Sequence, residues 1–425
     1  MKNYRGLVRQ ALAGVTMAAA LVVPTISSAA EDTIKIGLID PLSGPFANVG
    51  DLGVKTFGYL AERINANGGV LGRDIEIVPF DNKGSAQESL QNLKEAADEG
   101  IHYITQGLGS HVGGALIDGV EKHNRRNPDN RVVYLNFAAV DPAFTNEKCS
   151  FWHFRFDANS AMKMKVITDV MADEKEIKKV FLINQDYSHG QYISKAGKEM
   201  LAEKRPDIEI VGDVLHPLGK VKDFAPYISE IKSSGADAVI SGNWGNDLAL
   251  LVKAGSQAGL DVDYYTYYAA LVGAPRALGK AAAGKVKIVT EFQENLAVDR
   301  DADELTEIVE TFSERYSPFD FTVLRIKTEL DMLVAAMEKA GSSDPLKVAY
   351  AMEDLTVPTA MGDAMMRAQD HQLLQPLYIS TLSKEYAKYD AEDTGLGWVM
   401  DTEIPADETA VASSCEMDRP ERSGS

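Results

Sequence analysis

The 425-residue chain has few of the residues that build metal sites and disulfide scaffolds. Two cysteines are too few for a disulfide-rich framework or for the paired CxxC ligands of a structural zinc site. The seven histidines are scattered and form no HExxH pair, so the sequence predicts neither a metal nor another cofactor. After the first 30 residues no apolar run is long enough to span a bilayer, so stable membrane insertion is not expected.

Basic residues are also in deficit. Lys and Arg number 43 against 63 Asp and Glu, which gives a formal net charge of −20 at pH 7. A surface of this sign repels nucleic acids and anionic membranes, so neither is expected as a partner.

Catalytic and nucleotide-binding motifs are missing from the glycine-rich stretch TQGLGSHVGG, Thr105 to Gly114. It has no P-loop lysine, a GxGxxG fingerprint would need glycine at Val112, and Ser110 lacks the flanking glycines of a nucleophile elbow. A strand, a glycine turn and a helix N-terminus suit a single carboxylate. The alternative is a turn whose glycines only allow the strand and helix to pack closely.

The first 30 residues have the three-part pattern of a secretory signal. Lys2, Arg5 and Arg9 precede the apolar run Val15–Val23, and small residues follow up to Ala30. This predicts a secretory signal peptide cut after Ala30 and export from the cytoplasm. The alternative, a membrane anchor, would need about 20 apolar residues.

Export to an oxidising compartment favours a disulfide between Cys149 and Cys415 over two free thiols. The bond would tie the acidic C-terminal tail to the first half of the chain.

From Thr33 onward the chain alternates β-branched runs with amphipathic helical periods, and the series then starts again. Such βα alternation predicts α/β architecture, with mainly parallel sheets covered by helices. The predicted strands are Thr33–Ile39, Asp74–Phe80, Ile101–Thr105 and Arg131–Asn136, then Lys178–Asn184, Ile208–Val214, Ala236–Ser241 and Val262–Tyr267.

A third section has a strand at Lys285–Phe292, helices near Ala302–Tyr316 and Phe319–Ala340, and a strand at Leu377–Leu382. It is too short for a third core, so we expect it to complete both sheets, with several crossovers and a cleft between two lobes. Ligands bind beyond the carboxyl ends of parallel strands. The loops expected to line the cleft are Asp40–Gly50, Gln106–Val112, Phe137–Pro142, Gln185–His189, Gly242–Gly245 and Tyr267–Leu271.

Several segments give the chain a family likeness. The opening IKIGLIDPLSGPFANVG (Ile34 to Gly50) and the later FAAVDPAFTNEKCSFWHFR, NQDYSHGQYISKAG and MRAQDHQLLQPLYI resemble the branched-chain amino-acid (Leu/Ile/Val) binding proteins of ABC importers. The resemblance covers nearly the whole chain after the signal.

The resemblance implies the type I periplasmic-binding-protein fold, with two lobes joined by three crossovers near Phe154–Asp157, Ile288–Phe292 and Leu374–Pro376. The implied lobes are 31–155 with 290–374 and 156–289 with 375–400, and the tail 401–425 returns to the first lobe.

The resemblance also implies the ligand-binding residues. The first lobe would bind the ligand carboxylate through Gly109, Ser110, Ala138, Ala139 and Val140, the last through its backbone alone. Phe46 of the first loop is expected from the aromatic residues of the loops, and not from the resemblance, to stack on the ligand body. The second-lobe wall would be shaped by His189, in place of the family's tyrosine, and by Trp244, Tyr267 and Tyr268. Ordinary core packing is the alternative for the aromatic residues.

Two departures from the family pattern bear on the ligand. The family's threonine is replaced near Val140, and its acidic partner for the ligand ammonium is missing near Ala269. An ammonium buried without a counter-charge is strongly unfavourable. Either Glu291 or Asp186 substitutes, or the ligand has no ammonium.

The implied function is a non-enzymatic periplasmic receptor that delivers a small carboxylate, a branched-chain amino acid or similar, to the permease of an ABC importer. An aromatic acid such as a benzoate is the alternative ligand. Two other classes stay open: a ligand-sensing module whose output is another protein, and a secreted α/β hydrolase.

Overall fold

The computed structural model describes residues 33–422, so the predicted signal peptide lies outside the described residues. Within residues 33–422 no helix combines the length and the apolar character that a membrane crossing requires.

The strands alternate with helices through most of the chain. The strands are β1 (Ile34–Asp40), β2 (Ile75–Asp81), β3 (Tyr103–Gln106), β4 (Val133–Asn136), β5 (His153–Arg155), β6 (Lys179–Gln185), β7 (Glu209–His216), β8 (Ala238–Ser241), β9 (Asp263–Thr266), β10 (Val286–Thr290), β11 (Thr356–Thr359), β12 (Gly362–Arg367), β13 (Gln372–Leu374), β14 (Leu377–Ser383) and β15 (Gly397–Ile404).

The helices include several long amphipathic ones that cover the sheets. They are α1 (Ala47–Ala66), α2 (Ala86–Asp98), α3 (Ser110–Arg126), α4 (Ser160–Asp173), α5 (Ser188–Lys204), α6 (Ala225–Ser234), α7 (Gly245–Gln257), α8 (Ala274–Leu278), α9 (Asn295–Asp299), α10 (Asp303–Tyr316), α11 (Leu324–Ala340), α12 (Pro345–Met352) and α13 (Ala406–Thr409).

Two separate sheets form, in the orders β11-β12-β13-β5-β4-β3-β1-β2 and β15-β14-β10-β9-β8-β6-β7. Strands β1 to β5 are parallel to one another, and so are β6 to β10. The antiparallel strands lie toward one edge of each sheet, where β12 pairs with β13 and β14 pairs with β10 and β15. The predicted α/β class with two mainly parallel sheets is confirmed.

The central strands are buried on both faces, which explains their apolar sequences. In β1 every residue except Lys35 is buried. Helix α1 covers this sheet with Leu52, Phe57 and Leu60, whose spacing puts them on one helical face. The two sheets have their own apolar cores, so each supports the loops at its strand ends.

The chain passes between the sheets after β5, after β10 and between β13 and β14. Two glutamines hold the crossing segments side by side. Gln372 Nε2 donates to the carbonyl of Asp157 at 2.9 Å, and Gln375 Nε2 donates to the carbonyl of Phe156 at 3.2 Å. Because buried carbonyls need partners, these bonds fix the relative position of two crossovers.

Three expected boundaries shift. The lobe boundary at residue 290 falls inside β10, and the boundary at 400 falls inside β15, because β15 stays paired with β14 up to Ile404 opposite Leu377. The helix expected from Phe319 begins at Leu324. Asp320 Oδ2 accepts from the backbone N–H of Glu392 at 2.8 Å and holds the preceding segment in an irregular path.

The C-terminal tail packs beside the first sheet. Cys149 and Cys415 form a disulfide that joins positions 266 residues apart, with their Cα atoms 5.8 Å apart. Ser413 Oγ donates to the carbonyl of Thr145 at 2.6 Å, and Arg367 donates to the carbonyl of Val411 at 3.1 Å. The tail is therefore held by the disulfide and by hydrogen bonds of the residues just before it.

The disulfide is expected to stabilise the folded chain, because it closes a very long loop in the unfolded state. The double variant C149S/C415S should lose about 2–5 kcal/mol of unfolding free energy, measured by urea denaturation. In the unreduced wild-type protein neither cysteine should react with iodoacetamide under denaturing conditions. Alkylation at both positions without reductant would reject the bond.

Candidate functional site

A cavity lies between the two sheets, beyond the carboxyl ends of β3 and β4 on one side and of β6, β8 and β9 on the other. It encloses about 570 Å³ of space between atoms, counted with a part continuous with solvent, and about 40 Å³ of this is open to the centres of water-sized molecules. Its lining is Val49, Leu52, Gly53, Gly107, Leu108, Gly109, Ser110, Phe137, Ala138, Val140, Tyr187, Trp244, Tyr268, Leu271, Val323, Arg325 and Ile326.

The glycine turn after β3 is held rigidly on its inner side. Asp40 Oδ1 accepts from the backbone N–H groups of Gly107 and Leu108 at 3.2 and 3.1 Å. Gln106 Nε2 donates to the carbonyl of Leu108 at 2.7 Å. Burial raises the pKa of Asp40 to about 7, although these hydrogen bonds oppose the shift. The buried carboxyl group of Asp40 thus fixes the turn on the side facing the sheet.

Gly109 has φ +90°, a backbone angle that L side chains rarely adopt, and a Cβ there would lie 2.8 Å from the His111 ring. The position therefore needs glycine, and it directs the chain into helix α3, whose first residue is Ser110.

The start of α3 faces the cavity with free polar groups. The Ser110 side chain lines the cavity, although the residue is only 3% exposed to solvent. Within the described chain, the Ser110 hydroxyl and the backbone N–H groups of Ser110 and His111 have no hydrogen-bond partner, whereas Val112 and Gly113 already donate to Gly109. Such groups at the positive end of a helix dipole attract an anion.

The structure corrects the predicted carboxylate contacts of the Ala138 and Ala139 amides, whereas the contact predicted for the Val140 backbone stays a prediction. Asn136 Oδ1 accepts from the N–H groups of Ala138 and Ala139 at 3.2 and 2.7 Å, so neither amide is free for a ligand. Ala138 and Val140 line the cavity with their side chains, but Ala139 is buried behind it. The segment contributes apolar surface.

Of the predicted second-lobe residues, Trp244 and Tyr268 line the cavity, whereas His189 and Tyr267 lie behind it. His189 bonds Ser160 Oγ through Nδ1 at 2.7 Å and the carbonyl of Gly242 through Nε2 at 3.1 Å. Burial lowers the pKa of His189 to about 4, so its ring is neutral. Tyr267 donates to the carbonyl of Ser160 at 3.2 Å. Both side chains lie behind the wall, and the ligand contacts expected of them stay predictions.

Tyr187 lines the cavity where His189 was expected to do so. It lies two residues earlier, directly before helix α5. Its hydroxyl accepts from Trp244 Nε1 at 2.8 Å, which joins two aromatic wall residues. Burial raises the pKa of Tyr187 and keeps the phenol protonated. Phe46, expected beside the ligand, does not line the cavity; its ring lies 4.5 Å from the Trp244 ring.

The residue that sequence reasoning missed is Arg325, on the first turn of α11. It is 4% exposed and lines the cavity. Its Nη1 donates to Glu291 Oε1 at 2.6 Å, and its Nε lies 3.7 Å from Asp157 Oδ2. Burial opposes the positive charge, but Glu291 and Asp157 outweigh that effect and raise the pKa of Arg325. The guanidinium therefore stays charged.

Arg325 is part of a buried network of two acidic and two basic side chains. Lys163 Nζ lies 2.7 Å from Asp157 Oδ1, and the Tyr268 hydroxyl donates to Asp157 Oδ2 at 3.1 Å. Burial alone would raise the pKa of Asp157, but Lys163 and Arg325 hold it below its usual value. The four formal charges sum to zero, so the network offers no spare acid.

Neither predicted ammonium partner fits the cavity. Asp186 is exposed and accepts from Gln191 Nε2 at 2.9 Å, and Glu291 is engaged by Arg325 and does not line the cavity. Ala269 is fully buried. Among the lining residues of the described chain, Arg325 is the single charged side chain. Residues 33–422 also contain no cluster of three His, Cys, Asp or Glu side chains able to hold a metal ion.

Comparisons with known proteins agree with this two-lobed architecture. Leu/Ile/Val-binding protein homolog 4 of Brucella melitensis is 32% identical over 417 residues, 96% of this chain and 98% of that protein. The leucine-, isoleucine-, valine-, threonine- and alanine-binding protein of Brucella ovis, solved in a closed conformation, has TM-score 0.83 and 31% identity over 92% of this chain and 100% of that one.

A solute-binding protein of an ABC transporter from R. palustris, solved in complex with benzoate, has TM-score 0.75 at 19% identity over 91% of this chain and 100% of that one. At this identity the likeness concerns the fold alone. The model of the periplasmic binding protein family matches residues 33–387. The chain therefore belongs to the periplasmic binding protein family.

Proposed function

We propose that this chain is the solute receptor of an ABC importer, and that its solute is a small organic acid with an apolar body and no ammonium group. The observation that carries the proposal is the charge of the cavity lining, which has one cation, Arg325, and no acid, while the other side chains apart from Ser110 are apolar or aromatic. An aromatic acid such as a benzoate meets this description.

The carboxylate would bind at the start of α3. There Ser110 lines the cavity, and its hydroxyl and the first N–H groups of the helix have no hydrogen-bond partner in the described chain. A hydrogen bond to a charged group contributes about 1.5–3 kcal/mol, and the helix dipole adds about 0.3–1 kcal/mol. The apolar body would then lie against Leu52, Val140 and the Trp244 ring.

Arg325 gives the cavity its charge preference. Its Nε is buried without a hydrogen-bond partner, while Nη1 is engaged by Glu291. A solute ammonium would meet this cation and would have to draw Asp157 or Glu291 away from existing partners. Breaking a buried pair in this way costs about 3–5 kcal/mol.

A branched-chain amino acid is the second candidate. The relatives at 31–32% identity are named for leucine, isoleucine and valine, and they match this chain over nearly its whole length. For such a solute Glu291 or Asp157 would have to turn toward the cavity when the lobes close.

A transport role without catalysis is favoured over a hydrolase by the surroundings of Ser110. His111 is the neighbouring candidate base, but its Nε2 bonds the carbonyl of Gly84 at 3.1 Å and the side chain lies on the surface. The receptor would act in the periplasm after removal of its signal peptide, and its partner would be a permease. A sensing module would use the same cavity with a different partner.

The charge preference can be measured with matched pairs of solutes by isothermal titration calorimetry. The pairs are 4-methylpentanoate with leucine and 3-phenylpropanoate with phenylalanine, and benzoate and 4-hydroxybenzoate complete the series. Because a buried ammonium lacks a counter-charge, the acid without it should bind at least ~100-fold more tightly in each pair. Leucinamide, which has no carboxylate, is the control and should not bind. Tighter binding of leucine than of 4-methylpentanoate would contradict the proposed acid and favour a branched-chain amino acid as the solute.

Ser110→Ala should weaken binding of the preferred acid about tenfold, because one hydrogen bond to the carboxylate is lost. The matched control is Ser188→Ala. Ser188 occupies the same first position in helix α5 but is exposed and does not line the cavity. Equal affinities for the two variants would remove Ser110 from the carboxylate site.

Arg325→Met should abolish acid binding and also lower the unfolding free energy by about 3–5 kcal/mol, because Glu291 is left as a buried unpaired charge. The double variant R325M/E291Q removes both charges and should recover most of that stability without recovering binding. The two effects are separated by urea denaturation and calorimetry. A double variant with wild-type affinity would show that Arg325 has no role in solute recognition.

A further inference from the structure

Phe46 touches the opposite lobe and not the cavity. It precedes helix α1 on the loop after β1, and its side chain is only half-buried. Its ring lies 4.5 Å from the ring of Trp244, which follows β8 of the other sheet. Phe46 therefore bridges the two halves of the molecule at the rim of the cavity.

The second lobe presents a seat for this ring, made of Trp244, Gly219 and Gly245. A Cβ on Gly219 would lie 3.2 Å from Phe46 Cζ, and a Cβ on Gly245 would lie 3.8 Å from Phe46 Cδ1. Both glycines have positive φ, at +67° and +57°. The seat accepts the ring closely because a side chain is missing at Gly219.

The seat is held together by bonds within the second lobe. Asp247 Oδ2 accepts from the N–H of Gly219 at 2.7 Å and from Gln185 Nε2 at 2.8 Å. Gln185 Nε2 also lies 3.2 Å from the carbonyl oxygen of Trp244, to which it donates. No bond of this set involves Phe46, so the seat keeps its shape when the ring leaves.

Trp244 lines the cavity and also contacts Phe46, which does not line it. Phe46 therefore packs against a residue of the cavity wall from outside the cavity. Other contacts also cross between the lobes, since Leu271 and Val272 pack against the apolar cores of both. Asn48 Nδ2 lies 3.5 Å from the carbonyl oxygen of Val272, and the His111 and Tyr187 rings are 6.4 Å apart. Phe46 thus makes one of the apolar contacts that join the two lobes, through its ring against the Trp244 ring.

We propose that Phe46 is a closing residue, which seats against Trp244, Gly219 and Gly245 to hold the lobes together and so sets the rate at which solute dissociates, without touching the solute. This inference rests on the proposed receptor function. Aromatic contacts stabilise whichever state contains them, and a contact between residues of the two lobes is lost when the lobes separate. The residue is a positioning residue of the receptor and no part of the solute contacts.

The first test is the kinetics of release, measured by stopped-flow displacement for each of 4-methylpentanoate, 4-hydroxybenzoate and leucine that binds. Phe46→Ala should raise the dissociation rate about tenfold, leave the association rate within about threefold, and act equally on every solute. Phe46→Tyr should restore the wild-type rate. The control Leu90→Ala truncates an exposed apolar side chain of α2 and should change nothing. A rate increase that differs between solutes would indicate direct contact and overturn the proposal, as would an unchanged rate.

The second test needs no solute and so separates this proposal from the proposed function. Cysteines at positions 48 and 272, in the variant N48C/V272C, can be joined by a short bismaleimide only when the lobes approach. Adding F46A should slow this cross-linking severalfold, and F46Y should not. Equal cross-linking rates with and without F46A would overturn the closing role whatever the solute proves to be.

Discussion

Four buried charges at the crossovers constrain the rest of the structure. Asp157 lies on the first crossover and Glu291 on the second, whereas Lys163 lies in the first turn of α4 and Arg325 projects from α11. Charges removed from water are tolerated only as a balanced set with close partners. The network therefore favours one arrangement of the connecting segments, and it determines which charge is left facing the cavity.

This balance also determines the chemistry that each lobe contributes. Helices α3, α5 and α7 all begin at the cavity rim, since each follows the carboxyl end of a parallel strand. Only α3 places a cavity-lining hydroxyl at its start, whereas α5 and α7 are preceded by the aromatic side chains Tyr187 and Trp244. One lobe thus offers a polar end for an anion and the other offers an apolar wall, which would orient an elongated acid in the cavity.

Much of the fold could be predicted from the sequence, because buried parallel strands and amphipathic helices have strong periodic signals. The glycine turn could also be located, because a position with positive φ between a strand and a helix favours glycine, and the sequence has Gly109 there. The hydrogen bonds from the Ala138 and Ala139 amides to Asn136 also join residues close in sequence. They could not be predicted, because their geometry depends on how the loop folds. Tyr187 was missed by two residues, which is a matter of where helix α5 begins.

The burial of Arg325 could not be predicted from the sequence in this way. A single arginine on an amphipathic helix is normally a solvent-exposed residue, and its burial follows from Asp157 and Glu291, which are distant in the chain. The lobe boundaries at 290 and 400 shifted for a related reason, because strand pairing across the sheet decides where β10 and β15 end.

The same geometry explains how a serine beside a histidine can hold an acid without transforming it. Successive residues of a helix point about 100° apart, so Ser110 can face the cavity while His111 faces outward to the carbonyl of Gly84. The nearest buried histidine of the other lobe, His189, has both ring nitrogens engaged and is neutral because burial lowers its pKa. A hydroxyl without a base remains a hydrogen-bond donor, and a donor at a helix N-terminus retains an anion by attraction alone.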